Sequence, residues 1–280
     1  MEIALLMLSL ALIFFFGIFA GVLGAALGLG GGVLMILFFT LVINVPIHKA
    51  VALSLLAVIA SSSMAGSVYV QDKMTNIRLA MVLETCTVPG AVLGAFLALS
   101  MPSRAVEAIL GIVLLYAAIV SFRQIRSEKI VMSEDGLGIG GEYYDEAKKA
   151  TVKYSVDRLK VGLFASLLAG LVSGIVGIGG GIIKVPIMNL IMKVPIKASA
   201  ATSNFMVGVT AAASAVVYFG KGVVDLQMAV PTVLGIMIGA FIGTRILSLS
   251  RSPHLRMLLG LVLLFFSVMM FMKAGGIVYW

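Results

Sequence analysis

Ten apolar stretches, at roughly 3–27, 33–43, 47–70, 77–99, 104–122, 161–176, 182–192, 197–219, 226–247 and 255–272, take up most of the chain. A water-soluble domain carries about 25% charged residues to keep its surface wetted. Here only 11% are charged and 61% are hydrophobic, so the folded surface must face lipid. Lipid offers backbone N–H and C=O groups no partner, a demand that helices meet within each segment. Several stretches have the ~20 residues that a helical crossing needs. The reading is an all-α polytopic membrane protein. The start Met1-Glu2-Ile3 has no basic n-region and reads as a membrane segment rather than a cleaved leader.

The net charge of +8 suits basic residues that orient membrane loops. No basic stripe interleaved with aromatics is present, so nucleic acid is not an expected partner. The single cysteine, Cys86, excludes an intrachain disulfide and a thiolate metal cluster.

The only long polar stretch, 123–160, holds eight of the twenty Lys/Arg and seven of the twelve Asp/Glu. It divides the chain into an N-terminal membrane repeat (1–122), a charged linker expected in the cytoplasm (123–160) and a C-terminal membrane repeat (161–280). Within the linker, Ser133–Gly141 reads as a surface loop, and Tyr143–Lys153 as a short solvated helix or plain connector. The two flanks repeat each other. Gly28-Leu29-Gly30-Gly31-Gly32-Val33 returns 149 residues later as Gly177-Ile178-Gly179-Gly180-Gly181-Ile182. The same shift carries Val45-Pro46-Ile47 onto Val194-Pro195-Ile196, Ser54 onto Ser203, Tyr69 onto Tyr218 and Gly111 onto Gly260. Gly94-Ala95-Phe96 matches Gly239-Ala240-Phe241 only after a small gap. An ordered series of this kind marks an internal duplication, a common plan for transporters.

The segment 33–43 rises only about 16 Å against a core of about 30 Å. Residues 3–43 therefore form either one broken crossing or a hairpin that re-enters on its own side. A re-entrant hairpin plus three full spans makes the repeats inverted. With the linker inside, Lys73, Arg78, Lys193, Lys197, Arg245, Arg251 and Arg256 then also lie inside, and only Lys49, Arg104, Lys221 and Lys273 outside. Four crossings per repeat would move five of the inside residues out, so the positive-inside rule favours inversion. The two glycine motifs then enter from opposite faces as hairpin tips. Each precedes a short helix whose free N–H groups and positive dipole end favour an anion.

At these motifs the chain resembles the sulfite exporter TauE/SafE family of membrane transporters. The likeness rests on paired Gly-rich motifs, each followed by a short helix, a proline and an alanine-rich helix: Gly28–Gly32 to Ala52-Leu53-Ser54, and Gly177–Gly181 to Ala201-Thr202-Ser203-Asn204. The resemblance implies movement of sulfite, organosulfonates or related sulfur-containing anions.

The candidate substrate-binding residues are Gly30, Gly31, Gly32, Ser54, Gly179, Gly180, Gly181, Lys184, Thr202, Ser203 and Asn204. Lys184, three residues past Gly181 in an apolar segment, is positioned to neutralise an anion; its bland alternative is snorkelling to the interface. Thr202, Ser203 and Asn204 offer hydroxyl and amide donors for sulfonate oxygens, or equally interhelical bonds and caps. Ser54 and Ser61-Ser62-Ser63 also suit close helix packing, as do Gly17, Gly21, Gly24, Gly90 and Gly94. Glu84, within the segment 77–99, is the candidate for proton coupling, with a paired or interfacial carboxylate as its alternative. Glu107 and Arg245 read as interfacial anchors, and His48 and His254 as loop residues. No metal constellation is seen.

The function expected is export of a small sulfur-containing anion by alternating access around a central site at the two half-helix N-termini. An anion channel, or a permease without coupled transport, is the alternative; no ring of charges supports a channel. An enzyme is the weakest reading, since neither a nucleophile–base pair nor a dinucleotide fingerprint is present. Expected partners are the small anion, membrane lipid, coupling protons and, as an open option, a second copy of the chain. No cofactor is expected. The expected location is the cell's cytoplasmic (inner) membrane, crossed many times.

Overall fold

A computed structural model describes residues 2–27, 30–124, 138–145, 149–249 and 253–276. The first repeat contains α1 (Glu2–Leu27), α2 (Gly32–Leu41), α3 (Ile47–Gln71), α4 (Ile77–Ser100) and α5 (Ser103–Gln124). The second contains α6 (Leu159–Val176), α7 (Gly181–Pro186), α8 (Ile196–Gly220), α9 (Leu226–Leu249) and α10 (Pro253–Ala274). Among the described residues, seven helices are long and apolar enough to cross a membrane: α1, α3, α4, α5, α6, α8 and α9. Pro186 has no N–H to continue the ladder, and α7 loosens there into a π-helical turn, Ile187–Ile191. The helices coincide closely with the ten apolar stretches.

Equivalent residues recur in equivalent geometry. The approach to α3 turns at Asn44 (φ 59°), Val45 N–H bonds Phe39 C=O at 2.9 Å, and Pro46 opens the helix. The approach to α8 turns at Lys193 (φ 58°), Val194 N–H bonds Met188 C=O at 2.9 Å, and Pro195 opens the helix. Tyr69 donates to Ala25 C=O and Tyr218 to Gly174 C=O, each at 3.1 Å. Gly111 packs on the Phe271 ring, and Gly260 on the Phe122 ring. Every one of these pairs keeps the shift of 149.

The repeats run in opposite directions. Gly235, Gly239 and Gly243 of α9 abut the backbone of Phe14, Ile18 and Val22 in turn, so α1 and α9 are parallel. Gly90 and Gly94 of α4 abut Leu167 and Leu171, so α4 and α6 are parallel as well. Since successive spans within a repeat alternate, α6 must oppose its counterpart α1. Small residues at these crossings let backbones touch, as membrane helices require in the absence of a hydrophobic drive between them. These contacts also correct the gapped match: Gly90 is equivalent to Gly239 and Gly94 to Gly243, with no insertion. A run of glycines one turn apart aligns equally well with itself displaced, and only the helices they touch resolve the register.

The linker differs from the helical expectation. Gly141–Asp145 (β1) and Ala150–Tyr154 (β2) pair as an antiparallel hairpin. Tyr143, Val152 and Tyr154 are buried, packing in one apolar cluster with Leu79, Leu83, Met188, Met192 and Val194. One face buried at alternate positions is the strand period, and it overrides the helical potential of the charged residues between. Asn76 ties the linker down: its Oδ1 caps α4 by accepting from Leu79 N–H at 3.0 Å, while its Nδ2 donates to Ile139 C=O at 2.8 Å. Of the loop expected over Ser133–Gly141, residues 133–137 lie outside the described residues, and so do Gly28 and Leu29.

Basic residues sort by face. Arg78 reaches Gly138 C=O at 3.4 Å and Lys193 lies 3.9 Å from Asp157, so both join the linker's face. At the opposite end, Lys273 donates to Thr40 C=O at 2.6 Å and His48 contacts Ala98 C=O at 3.0 Å. His48 sits in the first turn of α3 and His254 in α10, not in loops. Glu107, expected as an interfacial anchor, is 7% exposed, with Lys273, Arg104 and His48 as its electrostatic neighbours. Arg245 is exposed, its guanidinium 5.8 Å from the centre of the Phe241 ring.

Candidate functional site

Each repeat begins with a hairpin whose tip is a glycine turn. Phe38 of α2 stacks on Phe16 of α1 at 4.1 Å, and Gly31 abuts Gly24, so α2 folds straight back along α1. Gly30 and Gly31 adopt φ of 69° and 67°; Gly179 and Gly180 adopt 70° and 79°. L residues avoid this left-handed region, so glycine is needed at these reversals. Gly31 and Gly180 are the N-caps of α2 and α7, neither with a side-chain cap bond.

The two turns meet at the centre of the molecule. Gly30 and Gly179 both face Val58 and Val207, which are themselves equivalent residues near the midpoints of α3 and α8. A Cβ on Gly32 would lie 3.4 Å from Gly177 C=O. Gly32 and Gly181 begin α2 and α7, and all six candidate glycines are buried. The turns therefore lie against each other on the pseudo-twofold axis.

Lys184 lies one turn into the helix that follows Gly180. It is 1% exposed, and its ammonium donates to Glu84 Oε1 at 2.8 Å and to Thr210 Oγ at 2.7 Å. The Thr210 hydroxyl also lies 3.0 and 3.1 Å from the two oxygens of Glu84, which is 6% exposed. The cluster joins α4, α7 and α8. Lysine and glutamate, chosen separately from sequence, thus form one buried pair. A buried charge this far from water persists only when paired and hydrogen-bonded.

Most of the remaining candidates make contacts that tie helices and turns together. Ser54 donates to Gly177 C=O at 2.8 Å, bracing the second turn from the first repeat. Thr202 Oγ accepts from Asn76 N–H at 3.0 Å, tying α8 to the start of α4. Asn204 donates to Ala25 C=O at 3.2 Å and its own carbonyl accepts from Ser62, while its Oδ1 is buried without a partner. Ser203 is fully buried on the same helix. The bonds of Ser54, Thr202 and Asn204 run to backbone and helix ends rather than to the Lys184–Glu84 cluster. Thr210 and Ser173 were not anticipated from sequence. Ser173, buried with an unpaired hydroxyl, neighbours Gly180. The available signal was the repeat itself: these positions hold Ser61 and Gly24 in the first half.

The sulfite exporter TauE/SafE family model matches residues 13–270. The chain is 24% identical over 264 residues to the "Probable membrane transporter protein YunE" of Bacillus subtilis, covering 92% of this chain and 95% of that protein. It is also 24% identical over 272 residues to the "Probable membrane transporter protein MJ0441" of Methanocaldococcus jannaschii, covering 92% and 93%. To the "Probable membrane transporter protein YdhB" of Bacillus subtilis it is 25% identical over 247 residues, covering 87% and 91%. No solved structure matches the chain. With paired glycine turns, inverted repeats and a family match over nearly its whole length, this membrane transporter belongs to the sulfite exporter TauE/SafE family and to no enzyme class.

Proposed function

We propose that this transporter exports a small sulfur-containing anion, sulfite or an organosulfonate, by alternating access around the central site where the two glycine turns meet. The observation that carries this reading is the fully buried Lys184 ammonium one helical turn beyond Gly180. An anion needs a compensating charge at membrane depth, and Lys184 Cε comes within 3.5 Å of a Cβ built on Gly180. The sulfur identity comes from the family; the anion preference comes from Lys184. Glu84 holds the place of the substrate in the unliganded pair, so an arriving anion must displace it. Displacement would strip the buried Glu84 carboxylate of its Lys184 partner, and this supports protons as the coupling ion. Val58 and Val207, packed between the turns, favour a gated transporter over an open channel. The linker and the basic ends beside it face the cytoplasm, as the positive-inside rule requires, in the cell's cytoplasmic membrane.

The test is ligand binding to purified protein by thermal shift, over sulfite, sulfate, thiosulfate, small sulfonates, carboxylates and cations. A sulfur anion should raise the melting temperature with concentration, and Lys184→Met should remove the response. A flat response to every anion, or stabilisation by cations alone, would overturn the reading.

A further inference from the structure

The shift of 149 pairs almost every feature of the two repeats, so the places where it fails are informative. Lys184 is equivalent to Met35, Glu84 to Val233, Thr210 to Ser61 and Ser173 to Gly24. Lys184, Thr210 and Ser173 of the second repeat stand where the first has a thioether, a hydroxyl and a hydrogen, while Glu84 of the first repeat stands where the second has an isopropyl group. Glu84 and these three second-repeat residues gather in one region. Lys184, Glu84 and Thr210 are mutually hydrogen-bonded, and a Cβ built on Gly180 would have Lys184 Cε and Ser173 Cβ each 3.5 Å away.

The backbone changes with them. In the first repeat Gly31 lies so close to Gly24 that a Cβ there would strike the Gly31 backbone. In the second, Ser173 occupies the equivalent place and the Gly180 turn leaves room for its Cβ, 3.5 Å from a Cβ built on Gly180. The Ser173 side chain is 0% exposed and its hydroxyl has no hydrogen-bond partner. A buried unpaired hydroxyl is destabilising. Packing accounts for its Cβ, which lies against Gly180, but not for its hydroxyl.

We infer that the anion site is single and asymmetric, built within the second repeat, and that Ser173 is a further substrate ligand whose hydroxyl donates to an oxygen of the anion held by Lys184 and Thr210. This rests on the anion-transport reading above and names its donor set. Ser173, Thr210 and Lys184 are all hydrogen-bond donors, and one ammonium balances one negative charge. The matching ligand is a singly charged oxyanion with several acceptor oxygens, such as a sulfonate or hydrogensulfite. The first glycine turn, with no cation behind it, is then a structural partner.

The experiment uses full-length purified protein with ethanesulfonate and sulfite as probes, read by calorimetry and thermal shift. Ser173→Ala should weaken binding at least about tenfold, the scale of a hydrogen bond to a charged group. The same variant without ligand should melt no lower than the native protein, because it removes an unpaired polar group. Met35→Leu, at the first repeat's counterpart of Lys184, should leave affinity unchanged. If native protein binds the probes and Ser173→Ala binds them equally well, the inference falls and the transport reading stands. A lowered melting temperature in unliganded Ser173→Ala would make the hydroxyl structural and overturn the inference likewise. If native protein binds neither probe nor any other anion, both fall together. Should Ser173→Ala fail to fold, Ser173→Cys, which keeps the side-chain volume without the hydroxyl donor, carries the same comparison.

Discussion

Lys184 and Glu84, a hundred residues apart in the chain, lie 2.8 Å apart between α7 and α4, with Thr210 bonded to both. Their equivalents under the shift of 149 are Met35, in the first repeat, and Val233, in the second. Evolution of the duplicated chain thus kept the fold and placed a buried ion pair at one of two geometrically equal sites. A pair of this kind contributes little net stability, because desolvation opposes the Coulomb attraction.

That asymmetry predicts a non-additive pattern of stability. Lys184→Met and Glu84→Val alone each strand a buried charge and should cost about 3–5 kcal/mol. The double variant reproduces the apolar pair of the equivalent site, Met35 and Val233, and should recover most of that loss, while losing anion binding. Thermal unfolding in detergent measures all four proteins; strictly additive losses would contradict a coupled pair.

Proton coupling depends on Glu84. In proteoliposomes containing the native protein, anion flux should be accompanied by proton movement reported by a pH dye trapped inside. Glu84→Gln keeps an acceptor for Lys184 but has no titratable proton, so residual anion flux should leave the dye signal flat. Undiminished proton movement in this variant would assign coupling elsewhere.

Inversion of the repeats places the starts of α3 and α8 on opposite faces. In a Cys86→Ser background, Lys49→Cys and Lys221→Cys should react with an impermeant thiol reagent added outside cells, and Lys193→Cys should not. All three positions are exposed, so accessibility is set by the membrane alone. Reaction at 193 from outside would contradict the assigned orientation.

Close helix contacts tolerate no added carbon. Gly94 meets Leu171 backbone, so Gly94→Ala must push α4 away from α6 and should cost about 1–3 kcal/mol. Gly220, at the end of α8, has open space around its Cα, and Gly220→Ala should leave stability unchanged within about 1 kcal/mol. Melting temperatures of the two variants give the comparison directly.

Asn76 couples the linker hairpin to α4. Asn76→Ala removes an N-cap, worth about 0.5–2 kcal/mol, together with the bond to Ile139 C=O. Amide exchange over 141–154 should speed up while the membrane helices stay protected. Burial raises the Tyr154 phenol above its ordinary 10, opposed by its hydrogen bond with Asn76. Unchanged exchange in the hairpin would show that apolar packing of Tyr143, Val152 and Tyr154 suffices to hold it.

The spans, their ends and the duplication were legible because lipid imposes a strict rule on each segment by itself: about twenty apolar residues, helical, bounded by turns. The glycine turns were legible for a similar local reason, since Gly30, Gly31, Gly179 and Gly180 take backbone angles that other residues avoid. The positive-inside rule gave the inverted arrangement from loop charges alone, and the parallel runs of α1 with α9 and α4 with α6 agree with it. Tertiary structure alone decided what depends on how helices rotate and cross. Lys184 and Glu84 each stood out as intramembrane charges, yet nothing in either segment says that they face one another, because that follows from α4, α7 and α8 converging. Thr210 and Ser173 are unremarkable within apolar helices until those helices turn them toward the same place. The register of α9 against α4 and the strand pairing of the linker have the same origin. Local sequence admitted two solutions in each case, and contact with a distant surface selected one.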